Sequence, residues 1–309
     1  MNPGPVLLEV SRNGMVESVH CGHLLVVDNS GKPLLSLGDI DSLIYPRSAV
    51  KSIQASAMVR AGLKLSPKEL ALVCASHAGS TEHMEVASGI LAGAGLSEKD
   101  LLNTPDKPLG IVERIAWGDK PGTSLSANCS GKHSGMLATC VVNGWDTKSY
   151  KDLNHPLQQA IIKEFESLTG SKITQTGVDG CGAPLFALTL NALATGVRNL
   201  LQSEDLVHQE VVAACLSNPK MVSGANRLPT LLLEQGLFAK DGAEGVMIIG
   251  NKDGVVVWKM SDGSQRGANE LAIATLSHLG ISIELPRESV LGGGRVVGEI
   301  TASKLVTHG

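Results

Sequence analysis

The chain has 309 residues, enough for a large hydrophobic core in one or two domains, and its 43% apolar content sets it apart from disordered sequences. Its 26 basic residues against 30 acidic ones give a net charge of −4 with no run of Lys or Arg, which argues against a nucleic-acid partner. Aromatic residues are only 3%, so the core must be built from Leu, Val, Ile and Ala.

The segments VLLEVSR, VESVHCGHLLVVDN and PLLSLGD read as the first strands, with Asp28-Asn29-Ser30-Gly31 as a hairpin turn. Apolar residues at helical spacing then predict helices over 48–63, 81–93, 134–142, 155–168, 185–201 and 206–216. EGVMIIGN and GVVVWKMSDG read as two more strands joined around Lys252-Asp253-Gly254, followed by a helix over 271–279. The architecture expected is α+β: an antiparallel sheet built from both chain ends, flanked by helices, with a helical middle region. A single catalytic unit over 1–309 is expected, with residues 1–50 and 243–309 giving the sheet and 51–242 the mainly helical portion. The start of the chain has no basic segment and only a short apolar run, so no secretory signal is read there. The uncharged stretch from Gly180 to Val197 reaches membrane length, but Pro184, Asn191 and Gly196 within it favour a buried helix over a span. Six cysteines scattered through the chain suit reduced thiols or a metal site in the cytoplasm better than a disulfide framework.

Five segments carry residues suited to chemistry. In Arg47-Ser48-Ala49-Val50-Lys51, residues three apart share a helix face, so a desolvated Lys51 could take the Ser48 proton. The bland alternative is Ser48 as a helix cap, and Ser217-Asn218-Pro219-Lys220 matches the same S-x-x-K pattern. Ala75-Ser76-His77-Ala78-Gly79-Ser80 offers a hydroxyl and an imidazole, or simply a capping turn. The run from Asn128 to Met136, NCSGKHSGM, is dense in polar, small and reactive types. Its glycines would let backbone approach a ligand, and Cys129 with Lys132 or His133 could hold a metal or touch substrate. A phosphate loop is a rival reading, but Ser126 stands where that motif has its first glycine. Asp179-Gly180-Cys181 lies in a Gly-rich turn ahead of an apolar stretch, and Cys129 and Cys181 would form a thiolate pair suited to zinc if their loops converge. Finally, Lys259 ends a strand just before Ser261-Asp262-Gly263, where an edge lysine is usually solvated.

Taken in order, these segments resemble the Rhizobium-type (class 3, thermolabile) L-asparaginases. The resemblance rests on Arg47-Ser48-x-x-Lys51, Ala75-Ser76-His77, Asn128 through His133 with Gly135-Met136-Leu137, Asp179-Gly180-Cys181, and Lys259 through Gly263. It implies a serine-β-lactamase-like fold that hydrolyses the side-chain amide of L-asparagine to aspartate and ammonia, with no organic cofactor. It implies two Ser-Lys pairs, Ser48 with Lys51 and Ser76 with Lys259, and a zinc ion held by Cys129, Lys132 and Cys181. It also implies a homodimer. Arg47, His77, Asn128, His133 and Asp179 become candidates for holding the free amino acid. Leu228 and Pro229 follow Arg227 where some relatives carry a cysteine, so a third thiol is not expected. The rival functions are a glutaminase or other small-amide hydrolase of the same fold, and a non-catalytic protein that binds zinc or an amino acid.

Overall fold

The computed structural model describes residues 2–309. In chain order the strands are β1 (Val6–Arg12), β2 (Met15–Asp28), β3 (Pro33–Leu37), β4 (Leu43–Ile44), β5 (Thr176–Val178), β6 (Pro184–Phe186), β7 (Leu188–Thr189), β8 (Phe238–Gly242), β9 (Val246–Asn251), β10 (Gly254–Met260), β11 (Ser289–Gly292) and β12 (Arg295–Ala302). The helices are α1 (Lys51–Arg60), α2 (Pro67–Val73), α3 (Thr81–Gly93), α4 (Ile111–Trp117), α5 (Ser130–Asn143), α6 (Pro156–Thr169), α7 (Leu190–Gln202), α8 (Leu206–Ser217), α9 (Pro219–Val222), α10 (Leu228–Glu234), α11 (Ala268–Leu276) and α12 (Lys304–His308). A short 3-10 turn, Arg47–Val50, leads into α1.

The α+β expectation holds. An eight-stranded sheet runs β11-β12-β1-β2-β10-β9-β8, with β3 also on β2, so strands from the two chain ends interleave. Side-chain alternation assigns the two faces. Leu24 and Val26 of β2, Ile249 of β9, and Val256 and Trp258 of β10 pack on one side with Leu271 and Leu276 of α11 and Leu232 of α10. Leu25 and Val27, Ile248, and Val255 and Val257 point the other way, into a larger core with α1, α2, α5, α6, α7 and α8. No helix is long and apolar enough to cross a membrane among the described residues.

Several elements depart from the expectations. The stretch 185–201 divides: two short strands end at Thr189, whose side chain caps α7 by accepting from the Ala192 N–H. The last three strands of the sheet, β8, β11 and β12, carry no turn-bounded apolar run long enough to have been read. Strand β8 lies within 51–242, the stretch read as mainly helical, and belongs to the sheet. Gly131 and Gly135 serve packing rather than ligand approach. A Cβ on the first would strike the Leu72 carbonyl, and one on the second would strike Val73, so these glycines let α5 lie against α2.

Candidate active site

The site forms where the 3-10 turn, the N-terminus of α5, the segment 75–77 and strand β8 meet on the larger-core side of the sheet. A cleft of about 270 Å³ is lined by Arg47, Ser48, Asp106, Asn128, Cys129, Asp179, Cys181 and Ala243, among others. Ser48 sits on the turn itself, one residue after Arg47, whose φ of 52° is left-handed. A non-glycine residue there is costly and persists only when its surroundings hold it. Here Arg47 is held by Asp179, with its Nε and Nη2 each 2.8 Å from Asp179 Oδ1. An adjoining pocket of about 490 Å³ shares Arg47 and contains Tyr45, Glu244 and Lys259.

Lys51 opens α1 and is 2% exposed. Its Nζ donates to the Ala75 carbonyl at 2.5 Å and lies 3.3 Å from Ser76 Oγ. No carboxylate compensates it. Burial, with Lys132 and Lys240 nearby, pulls its pKa down to about 7. Ser76 is fixed through its backbone, which donates to Val222, while His77 donates to the Asn128 carbonyl. His77 Nε2 meets Ser130 Oγ at 2.8 Å, and its ring stacks on His83 at 5.0 Å. Burial keeps His77 neutral, so it tethers α5 rather than facing the cleft. Ser80 caps α3 in a box with His83, which satisfies the capping alternative for this motif.

The partner of Ser76 on the sheet side is Lys240, not Lys259. Lys240 Nζ is 3.0 Å from Ser76 Oγ. Lys259 Nζ donates instead to the Glu244 carbonyl at 2.5 Å and the Met260 carbonyl at 2.6 Å. Register explains the exchange. Lys240 of β8 pairs with Ile248 and thence with Val257, whereas Lys259 is level with Val246 and His23. The two lysines share a face, but β8 is the edge strand packed on the 3-10 turn, and β10 is two strands away, about 10 Å at normal spacing. Sequence reasoning missed Lys240. The available signal was the alternation in Phe238-Ala239-Lys240, which puts the lysine on the inward side with Phe238.

The two cysteine loops do converge. Ligand atoms of Cys129, His133 and Cys181 all lie within 4.8 Å of one another. Lys132 Nζ is 3.3 Å from Cys181 Sγ. A hydrogen bond from the Cys129 thiol, then the Lys132 charge, drive Cys181 strongly toward thiolate, and Cys129 correspondingly holds its proton. His133 Nδ1 is 2.7 Å from the Tyr150 hydroxyl, while its buried Nε2 has no hydrogen-bond partner. Burial lowers its pKa to about 4, leaving a neutral imidazole. His133, expected to touch substrate, is therefore part of this cluster. The donor set fits zinc: two sulfurs and an imidazole nitrogen whose other nitrogen is already fixed by a hydrogen bond.

With this geometry in hand, the chain matches the L-asparaginase II family over residues 8–302. The chain belongs to that family. No curated protein matches it in sequence. Among solved structures it is similar to Mglu in its native form, with 12% identity and a TM-score of 0.46 over 84% of this chain and 65% of that one. Mglu in its L-glutamate binding form gives 13% identity and a TM-score of 0.38 over 84% and 61%. The chain thus matches less than two thirds of the length of those structures.

Proposed function

We propose that the protein is an amidohydrolase that hydrolyses the side-chain amide of L-asparagine, with Ser48 as nucleophile and Lys51 as its base. The observation that carries this is the buried Lys51 amine, without a carboxylate partner, three residues after a serine on the cleft wall. An amine with a pKa near 7 is neutral for a large fraction of the time at neutral pH and can accept a hydroxyl proton. Ser48 Oγ attacks the amide carbon and passes its proton to Lys51. Ser48 and Ala243 both line the cleft, and their backbone N–H groups are the donors proposed for the resulting oxyanion. Collapse breaks the C–N bond, and a proton from the Lys51-Ser76-Lys240 chain leaves with ammonia. Water then attacks the acyl ester, gives a proton to Lys51, and frees Ser48 with aspartate.

The Arg47–Asp179 ion pair suits a zwitterionic amino acid. Opening it offers a cation to the α-carboxylate and an anion to the α-ammonium, a selection that neutral amides do not meet. Asn128 lines the same cleft as this ion pair and the two cysteines. Zinc would be held by Cys129, Cys181 and His133, with Lys132 as a competing fourth donor, and would order the cleft floor beside Asn128. When bound, the ion supplies a fixed positive charge at that floor. All six cysteines are free, which suits a reducing cytoplasm. The apolar face of α4, with Ile111, Val112 and Ile115 each more than three-quarters exposed, supports a homodimer, testable by light scattering.

The test is ammonia release from L-asparagine and L-glutamine by wild type and Ser48→Ala. Release from asparagine that disappears in the variant supports the reading. Near-wild-type turnover by Ser48→Ala sinks the nucleophile, and a preference for glutamine moves the substrate.

A further inference from the structure

Ser76 Oγ is flanked by two amines, Lys51 Nζ at 3.3 Å and Lys240 Nζ at 3.0 Å. A hydroxyl has one proton to give. Two ammonium groups would both donate to Ser76 and leave its own proton without an acceptor. The arrangement is satisfied when one amine is charged and donates, and the other is neutral and accepts. The surroundings of the two amines differ in the way this requires. Lys240 is 2.5 Å from Asp241 Oδ1 and also donates to the Asp241 carbonyl at 2.7 Å. Asp241 Oδ2 accepts from Arg227 Nη2 at 2.6 Å, and Arg227 Nη1 donates to the Ser76 carbonyl at 2.8 Å. One carboxylate thus ties together Lys240, Arg227 and, through Arg227, the backbone of Ser76. Lys51 has only carbonyl and hydroxyl contacts.

We propose that Asp241, clamped by Arg227, is a positioning residue that keeps Lys240 protonated against Ser76, so that Lys240 is the acid and Lys51 the base of one directed chain. Protons run from Lys240 N–H to Ser76 Oγ and from Ser76 O–H to the Lys51 lone pair. This assignment rests on the Ser-Lys reading above for its use in catalysis, but the protonation states stand by themselves. The charged and titratable groups facing Lys240 are Asp241 on its own strand, Arg227 at the start of α10, Lys51 on α1 and Cys215 on α8, with Cys74 next to the Ser76 segment. Burial lowers the Lys240 pKa, and of these groups Asp241 is the one carboxylate that opposes it. Burial opposes its charge, but Lys240 and Arg227 outweigh it and hold its pKa at about 2. It therefore stays an anion through any pH at which the lysines titrate.

The experiment uses full-length protein labelled with 13C at lysine Cε. Lys240 and Lys51 are assigned by their loss in Lys240→Met and Lys51→Met, and each is titrated by NMR. Lys51 should lose its proton first as pH rises. In Asp241→Asn the Lys240 midpoint should drop by about one unit or more, and Asp241→Glu should restore much of it. The alkaline limb of kcat/KM for asparagine should move down by the same amount in Asp241→Asn, a shift that a residue acting only on packing would not produce. If Lys240 titrates at or below Lys51 in wild type, or does not move in Asp241→Asn, the proposal is overturned. If Asp241→Asn does not fold, the wild-type order and the Asp241→Glu midpoint still decide it. Absence of asparagine turnover with the NMR order intact would overturn the substrate reading and leave this assignment standing.

Discussion

Two clusters of charge, one partly exposed and one buried, lie on the same side of the sheet and are built on opposite principles. Between α1, α6 and α8, Arg60 forks onto Glu164 at 2.8 and 3.0 Å and reaches Asp205 at 2.7 Å, while His208 meets Glu164 at 2.6 Å and Ser203 at 2.7 Å. Every charge there faces its opposite, and Glu164 stays ionised because His208 and Arg60 outweigh its burial. At the cleft, Lys51, Lys132, Lys240 and Arg227 gather around one buried carboxylate and one thiolate. Matched charges tie helices together. Unmatched amines cost folding energy and yield a base that is neutral near pH 7, which is what the proposed amide hydrolysis needs.

Substitutions separate the two. Lys51→Met should lower turnover of asparagine by about 10³-fold or more, the loss of a general base and of its charge chain together, while raising the urea midpoint at pH 7. A lower midpoint would mean that the amine is a structural tie like Arg60. Lys240→Met should cost about 10²-fold, and Lys259→Met no more than a few-fold, since Lys259 donates to two carbonyls away from Ser76. Equal losses for the two would return Lys259 to the catalytic chain. Glu164→Gln should do the reverse of Lys51→Met: about 2 kcal/mol of stability lost, with near-normal turnover per folded molecule. The figure is at the low end because Arg60 is partly exposed and keeps Asp205.

A further effect is in pH dependence. The folded pKa of Lys51, about 7, lies below its unfolded value near 10.4, so between these values the unfolded chain binds the extra proton. Stability from this group should therefore rise with pH from about 7 to about 10 and be flat below 7. Denaturation at a series of pH values should show that slope in wild type and not in Lys51→Met. In the same protein kcat/KM should fall as pH drops through about 7. Removing metal with a chelator should lower the melting temperature of wild type but not of Cys181→Ser, if the cysteine cluster holds zinc.

Much of the site was legible because its chemistry is compressed into short runs. Ser48 with Lys51, and Cys129 with Lys132 and His133, are local in sequence, so helical spacing alone puts each group on one face. The strands of β1, β2, β9 and β10 were legible from alternation. What resisted were residues whose meaning depends on a distant partner. His133 reads in sequence as either a metal ligand or a substrate contact; Tyr150 on its Nδ1 and the nearby Cys129 and Cys181 favour the first. Gly131 and Gly135 looked like ligand-approach glycines until α2 was found against them.

By itself the sequence determined the α+β class, the two-ended sheet and the Ser-Lys turn, because these follow from periodicity, turn chemistry and short-range spacing; the convergence of the two cysteine loops was decided by the tertiary structure. Only the tertiary structure decided which strand lysine reaches Ser76, and that Asp241 and Arg227 stand behind it. Both Lys240 and Lys259 lie on the same face of one sheet. Strand order and register put Lys240 on the edge strand β8, against the turn that carries Ser48, and leave Lys259 two strands away on β10.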